Sequence, residues 1–216
     1  MTLPTSGLIT VNDRGARAAT TFGSVAAVGG NMVFIKKLTA SSSATLSFVD
    51  GASSVVLDST YKEYVFTFNN IHPNESNKYF GFNMSVDSGS NYNVTKTSTF
   101  FRSINAENAS FAALGYRTGE DLAQSTGLAT IMYSMDNDND SNGNGFLQLF
   151  NPSSTTFVKH FISNCSGTAN DGGANRYDIN YFGAGYGNTT SAIDAIQFKM
   201  SSGNIDAGDI CLYGIL

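Results

Sequence analysis

Tryptophan is absent from this 216-residue chain, and histidine and cysteine occur only twice each. The absence of Trp weakens the case for a sugar-stacking groove, with Tyr116, Tyr181 and Tyr186 as the substitutes in exposed loops. His72 and His160 lie in strand or turn context with no matched Ser, Cys or Asp motif, and no Gly-x-Ser-x-Gly stretch occurs. Nucleophilic catalysis of the Ser–His or Cys–His kind therefore has no sequence support. Cys165 and Cys211 stand apart from each other and from any His at metal-ligand spacing. They read as two free, buried thiols, with one disulfide as the alternative. Charge is scarce as well. Asp, Glu, Lys and Arg make up 13% of the chain, the formal net charge is −5, and Lys36-Lys37 is the only basic cluster. A duplex nucleic-acid surface needs a basic stripe to neutralise phosphates, so nucleic acid is not an expected partner. No apolar stretch approaches the roughly 18 residues of a membrane span, and no basic region followed by an apolar run opens the chain. Neither a membrane span nor a signal peptide is expected.

What the chain does contain is strict alternation. Over residues 61–86, Tyr64, Phe66 and Phe68 point one way while Val65, Thr67 and Asn69 point the other. Phe80, Phe82, Met84 and Val86 then share a second face. Period two marks half-buried strands. The polar stretch between them, 70–77, holds Pro73 and reads as a turn. Further strands are expected at 32–38, 44–49, 93–101, 127–135, 146–150, 156–162, 177–182, 196–200 and 209–216. Residues 103–126 read as a long connection with two short helical fragments, and 164–175 as an Asn/Gly-rich loop. About ten strands at this spacing predict an all-β fold, a jelly-roll-like antiparallel β-sandwich over residues 32–216. Residues 1–31 are too poor in apolar side chains to fold alone and read as an extended N-terminal arm. Leu3, Leu8, Ile9, Val11 and Phe22 are its expected partner-binding side chains.

The sharpest chemical motif is the acidic run 136–145. Read from Asp138 it gives Asp-x-Asp-x-Asn-Gly, the opening of a calcium loop, with Asp136, Asp138, Asp140 and Asn142 as oxygen ligands and Gly143 at the sharp turn. Leu149 stands where an EF-hand places its bidentate Glu, so that motif fails. A looser structural Ca²⁺ site remains, against a solvated acidic hairpin tip whose carboxylates repel one another. Gly183-Ala184-Gly185-Tyr186-Gly187 lacks the following helix that a phosphate loop requires. Glycoside cleavage needs two carboxylates flanking a cleft. Glu63, Glu120, Asp121, Asp194, Asp206 and Asp209 supply carboxyls that sequence alone does not pair. No enzyme activity, cofactor or catalytic residue is assigned.

Two stretches resemble a known group. Leu3-Pro4-Thr5-Ser6-Gly7-Leu8-Ile9-Thr10 resembles the Leu-Pro-x-Ser-Gly-Pro-Ile-Ser start of virion structural proteins of tailed bacteriophages, with Leu8 in place of the usual Pro. Residues 61–73 and 193–205, with the ending Leu212-Tyr213-Gly214-Ile215, are similar to β-sandwich proteins encoded among marine and cyanobacterial phage structural genes. The resemblance implies an architectural role: a virion appendage, fibre or tail component attached through its arm. Capsid decoration and a glycan-binding lectin or polysaccharide depolymerase are the alternatives. It also implies other virion proteins as partners, a homo-oligomer with a trimer favoured, a host-surface glycan as a further contact, and location in the virion.

Overall fold

The computed structural model describes residues 31–170 and 176–216. Leu3, Leu8, Ile9, Val11 and Phe22, the expected docking side chains of the arm, lie outside the described residues. Thirteen strands and no helix occur among the described residues. They are Met32–Thr39 (β1), Leu46–Val49 (β2), Glu63–Pro73 (β3), Lys78–Ser85 (β4), Lys96–Ala106 (β5), Ala112–Tyr116 (β6), Leu122–Ser125 (β7) and Ala129–Met135 (β8). Gly143–Phe150 (β9), Lys159–Asn170 (β10), Arg176–Gly187 (β11), Ala195–Met200 (β12) and Ile205–Ile215 (β13) complete the set.

Every strand pairing is antiparallel, and the central pairings nest: β4 with β8, β3 with β9, β2 with β12, β1 with β13. A long hairpin rolled up on itself produces this nesting. It yields two four-stranded sheets, β1-β13-β3-β9 and β2-β12-β4-β8, the two sheets of an eight-stranded jelly roll. The remaining strands extend one sheet only. β10 and β11 add to β9, β5 adds to β11, and β6 and β7 share the outer edge of β5. A single bridge, Ala169 to Met135, ties this long sheet to the short one.

Alternation explains why the sheets face each other. Along β3, Tyr64, Phe66 and Phe68 are buried while Glu63, Val65 and Thr67 are only partly covered. Phe198 on β12 is the hub: its ring lies 5.2 Å from Phe66, 5.3 Å from Phe68 and 5.9 Å from Phe80. Phe82 meets Phe161 across the sandwich edge-on at 5.0 Å. Aromatic packing of this kind adds roughly 0.5–1.5 kcal/mol per pair beyond the area removed from water. Tyr64 is fully buried and satisfies its hydroxyl by donating to the Asp58 carbonyl at 2.9 Å.

The fold corrects the sequence reading in four places. Residues 103–126 contain no helix; they finish β5 and supply β6 and β7. The segment 164–170, expected as loop, is the second half of β10, held by its pairing to β11. Pro73 closes β3, so the turn shrinks to 74–77. Val86 lies just past β4 and is exposed, leaving Phe80, Phe82 and Met84 as the buried set. Cys165 is buried, Cys211 partly so, and both are free. No helix of the described residues is long and apolar enough to cross a membrane.

Candidate functional site

Among the described residues, two places that the sequence reading bears on lie one at each end of β11. The first is the acidic loop 136–142 between β8 and β9. Arg176, the first residue of β11, inserts its guanidinium among the aspartates. Its Nη1 donates to Asp136 at 2.9 Å, its Nη2 to Asp138 at 2.5 Å, and its Nε to Asp140 at 3.2 Å. The Asp138 carboxylate first, with Asp136 and Asp140 behind it, holds the Arg176 proton well above an arginine's ordinary range.

The positive charge that the acidic run demands is thus supplied by the chain itself. Asn142, the fourth expected ligand, faces elsewhere: its Oδ1 accepts from Asn144 Nδ2 at 2.8 Å. Gly143 has no positive φ among the turn glycines; it opens β9, where a Cβ would come within 2.2 Å of the Met132 sulfur. Close packing, not turn geometry, requires that glycine. Among the described residues no group of three or more His, Cys, Asp or Glu is placed to hold a metal ion. Neighbouring contacts fix the loop. Ser141 donates to the Thr168 carbonyl at 2.7 Å, Thr168 donates to the Asp140 carbonyl at 3.0 Å, and His72 Nε2 lies 3.2 Å from the Asp138 carbonyl.

The second place is a groove of about 350 Å³ on the outer face of the long sheet. Its outward-pointing lining is Thr97 and Thr99 from β5, Phe150 from β9, His160 and Ile162 from β10, and Ala184 and Tyr186 from β11. The register sets this out as rows. Thr97 faces Tyr186 and Tyr186 faces His160; Thr99 faces Ala184 and Ala184 faces Ile162. The His160 and Tyr186 rings meet at 5.7 Å with 46° between planes. Gln124 of β7 reaches over this end: its Nε2 donates to Thr97 Oγ1 at 2.7 Å and to the Tyr186 hydroxyl at 3.4 Å. Asn188, just past β11, donates to Gln124 Oε1 at 2.7 Å.

Of the tyrosines singled out from sequence, Tyr186 lines this groove and Tyr116 is exposed, donating to Asp121 at 2.6 Å. Tyr181 is a correction: it is fully buried, donating to the Tyr133 carbonyl at 2.9 Å, because β11 turns its odd-numbered side chains inward. No carboxylate lines the groove. Glu63 accepts from Gln148, Glu120 grips Arg117 through two bonds of 3.1 Å, and Asp209 holds Lys37 and Thr39. Asp194 accepts from the Ser88 amide, and Asp206 lies 3.8 Å from His72.

Sequence reasoning missed Arg176 and the Gln124–Asn188 pair. A run of three aspartates signals that a cation must come from somewhere, yet nothing local says which one. Comparison of the chain with family models, with curated proteins and with solved structures finds no match in any of the three.

Proposed function

We propose that this chain is a structural protein of a tailed-bacteriophage virion, an appendage component of fibre or tail type. In this reading residues 1–31 attach it to the particle, the jelly roll projects outward, and copies associate with one another and with other virion proteins. It has no catalytic role. The observation that carries the reading is the bare edge of the long sheet. β1 pairs with β13 on one side and with no described strand on the other. It exposes Met32 and Phe34, at 46% and 57% of their surface. An edge strand with apolar side chains, guarded only by Lys36 and Lys37, is a template for pairing with another chain. The charge-poor composition and the phage-like stretches at 3–10, 61–73 and 193–205 agree with an architectural role.

Mass spectrometry of purified particles, with copy number, tests the proposal. The expected result is a fixed number of copies per particle. Removing Met1–Gly30 is expected to abolish incorporation while the circular dichroism of the purified variant keeps its β signature. Particles that lack the chain altogether would sink the reading, as would normal incorporation of the shortened form.

A further inference from the structure

We infer that the outer-face groove between β5, β10 and β11 is a binding site for a neutral oligosaccharide. The inference deepens the virion reading by giving the projecting domain a ligand class, and rests on that reading only for its biological setting.

Four observations converge. First, the groove is built by strands that the jelly roll does not need. Of its outward lining only Phe150 belongs to the eight nested strands, and the rest comes from β5, β10 and β11. Second, its shape is made by side-chain size. Ala184 is the small member of its row on β11, between the outward rings of Phe182 and Tyr186, so a trough opens there with Ile162 on the neighbouring strand. At about 350 Å³ it falls at the lower end of the range for small-ligand sites.

Third, the lining pairs ring faces with hydroxyls. Tyr186, His160 and Phe150 offer apolar surface of the sort that covers the C–H face of a sugar ring, while Thr97 and Thr99 stand opposite. Fourth, the polar groups at the Tyr186 end are held in place with donors to spare. Thr97 Oγ1 accepts from both the amide and the side chain of Gln124, at 3.2 and 2.7 Å, so its own proton is free to donate. The Tyr186 oxygen accepts from Gln124, which leaves its proton free in the same way. Asn188 spends one amide hydrogen on Gln124 and retains the other. Such fixed, unspent donors lower the ordering cost of binding a polyol.

Charge selects among ligands. No Asp, Glu, Lys or Arg lines the groove, so no carboxylate there meets a cationic sugar and no fixed cation meets an anionic one, His160 being the one lining side chain able to gain a positive charge. The missing carboxylates also leave no acid–base pair for cleavage, which makes the site one of binding.

Calorimetric titration of the full-length protein with maltohexaose, cellohexaose, laminarihexaose and a mannohexaose, beside an anionic heparin hexasaccharide, tests the inference. The expected result is saturable binding of at least one neutral probe. Tyr186→Ala should weaken it by about tenfold or more, and Tyr186→Phe, which keeps the ring, by less than that. Thermal melts of both variants, matching the parent, exclude a folding defect, and Ala184→Phe should block the trough without touching a hydrogen bond. The inference is overturned if no neutral probe binds, if the anionic probe binds more tightly than all of them, or if Tyr186→Ala binds as the parent does. It is also overturned if Tyr186→Ala changes the oligomeric state in sedimentation while no saccharide titrates, since the groove is then a protein contact. Each readout uses purified protein, so failure here leaves particle incorporation as a separate result.

Discussion

On the inner face of the long sheet, Phe66, Phe68, Phe100, Phe161 and Tyr181 are all buried, whereas Phe34, Phe101, Phe146 and Ile162 on the outer face of that sheet stay exposed. The inner set is required by folding, because it closes against Phe198, Phe82 and Tyr133 of the short sheet. Among the described residues the outer set meets no second layer of rings. Phe101 stacks on Phe182 at 4.8 Å and Phe34 meets Tyr213 edge-on at 5.6 Å, yet both outer rings keep roughly half their surface in contact with water. Apolar surface that folding does not use is surface available for a neighbour or a ligand.

Substitutions can break that contrast. The largest loss is expected for Phe198→Ala, which removes the ring contacted by aromatic side chains from three strands, β2, β3 and β4, and should cost about 3–5 kcal/mol in urea unfolding. A smaller value would mean that the core repacks around the hole.

The inner face also carries two lysines, and they sharpen the comparison. Lys96 and Lys159 both pair with Gly187 and are fully buried. Lys96 donates to the Val94 carbonyl at 2.9 Å, and Lys159 to the carbonyls of Phe157 and Thr189 at 3.0 and 3.3 Å. Burial lowers the Lys96 pKa from 10.5 to about 8. Between those two values the unfolded chain holds the proton more tightly, so stability rises with pH across the window, by up to about 3 kcal/mol. Below pH 8 the folded state bears the full cost of the buried charge. Lys96→Met should therefore be more stable than the parent at pH 7 and have a smaller rise between pH 8 and 10.5, because burial also lowers the Lys159 pKa and that lysine keeps its share. Equal slopes for parent and variant in urea titrations would assign the rise to another group.

At the opposite end of β11 the cation is matched by acids rather than carbonyls. Arg176→Ala leaves Asp136, Asp138 and Asp140 without their shared guanidinium. The expected outcome is a lower melting temperature that millimolar Ca²⁺ restores in the variant and leaves unchanged in the parent. The smallest effect on stability belongs to the outer face: Phe34→Ser should change it by less than about 1 kcal/mol while reducing self-association in sedimentation velocity. Destabilisation as large as that of Phe198→Ala would erase the distinction between the two faces.

The strands with clean alternation were legible in the sequence. β3, β4 and β12 bury one face, and that face is written as Tyr64-x-Phe66-x-Phe68, Phe80-x-Phe82-x-Met84 and Ile196-x-Phe198-x-Met200. β6 was not legible, because all five of its residues are exposed and no burial pattern marks it. It forms only because the free edge of β5 offers a ladder. Tyr186 could be named in advance as an aromatic in a Gly-rich stretch. Its companions could not: Gln124 lies 62 residues away and His160 on another strand.

Composition and period two determined by themselves that this chain is an all-β sandwich with little charge, because side-chain direction in a strand follows from backbone geometry alone. The tertiary structure decided how the strands nest, that Arg176 reaches aspartates 36 to 40 residues distant, and that three inserted strands shape a groove. Those outcomes depend on register between segments far apart in the chain, which no local pattern encodes.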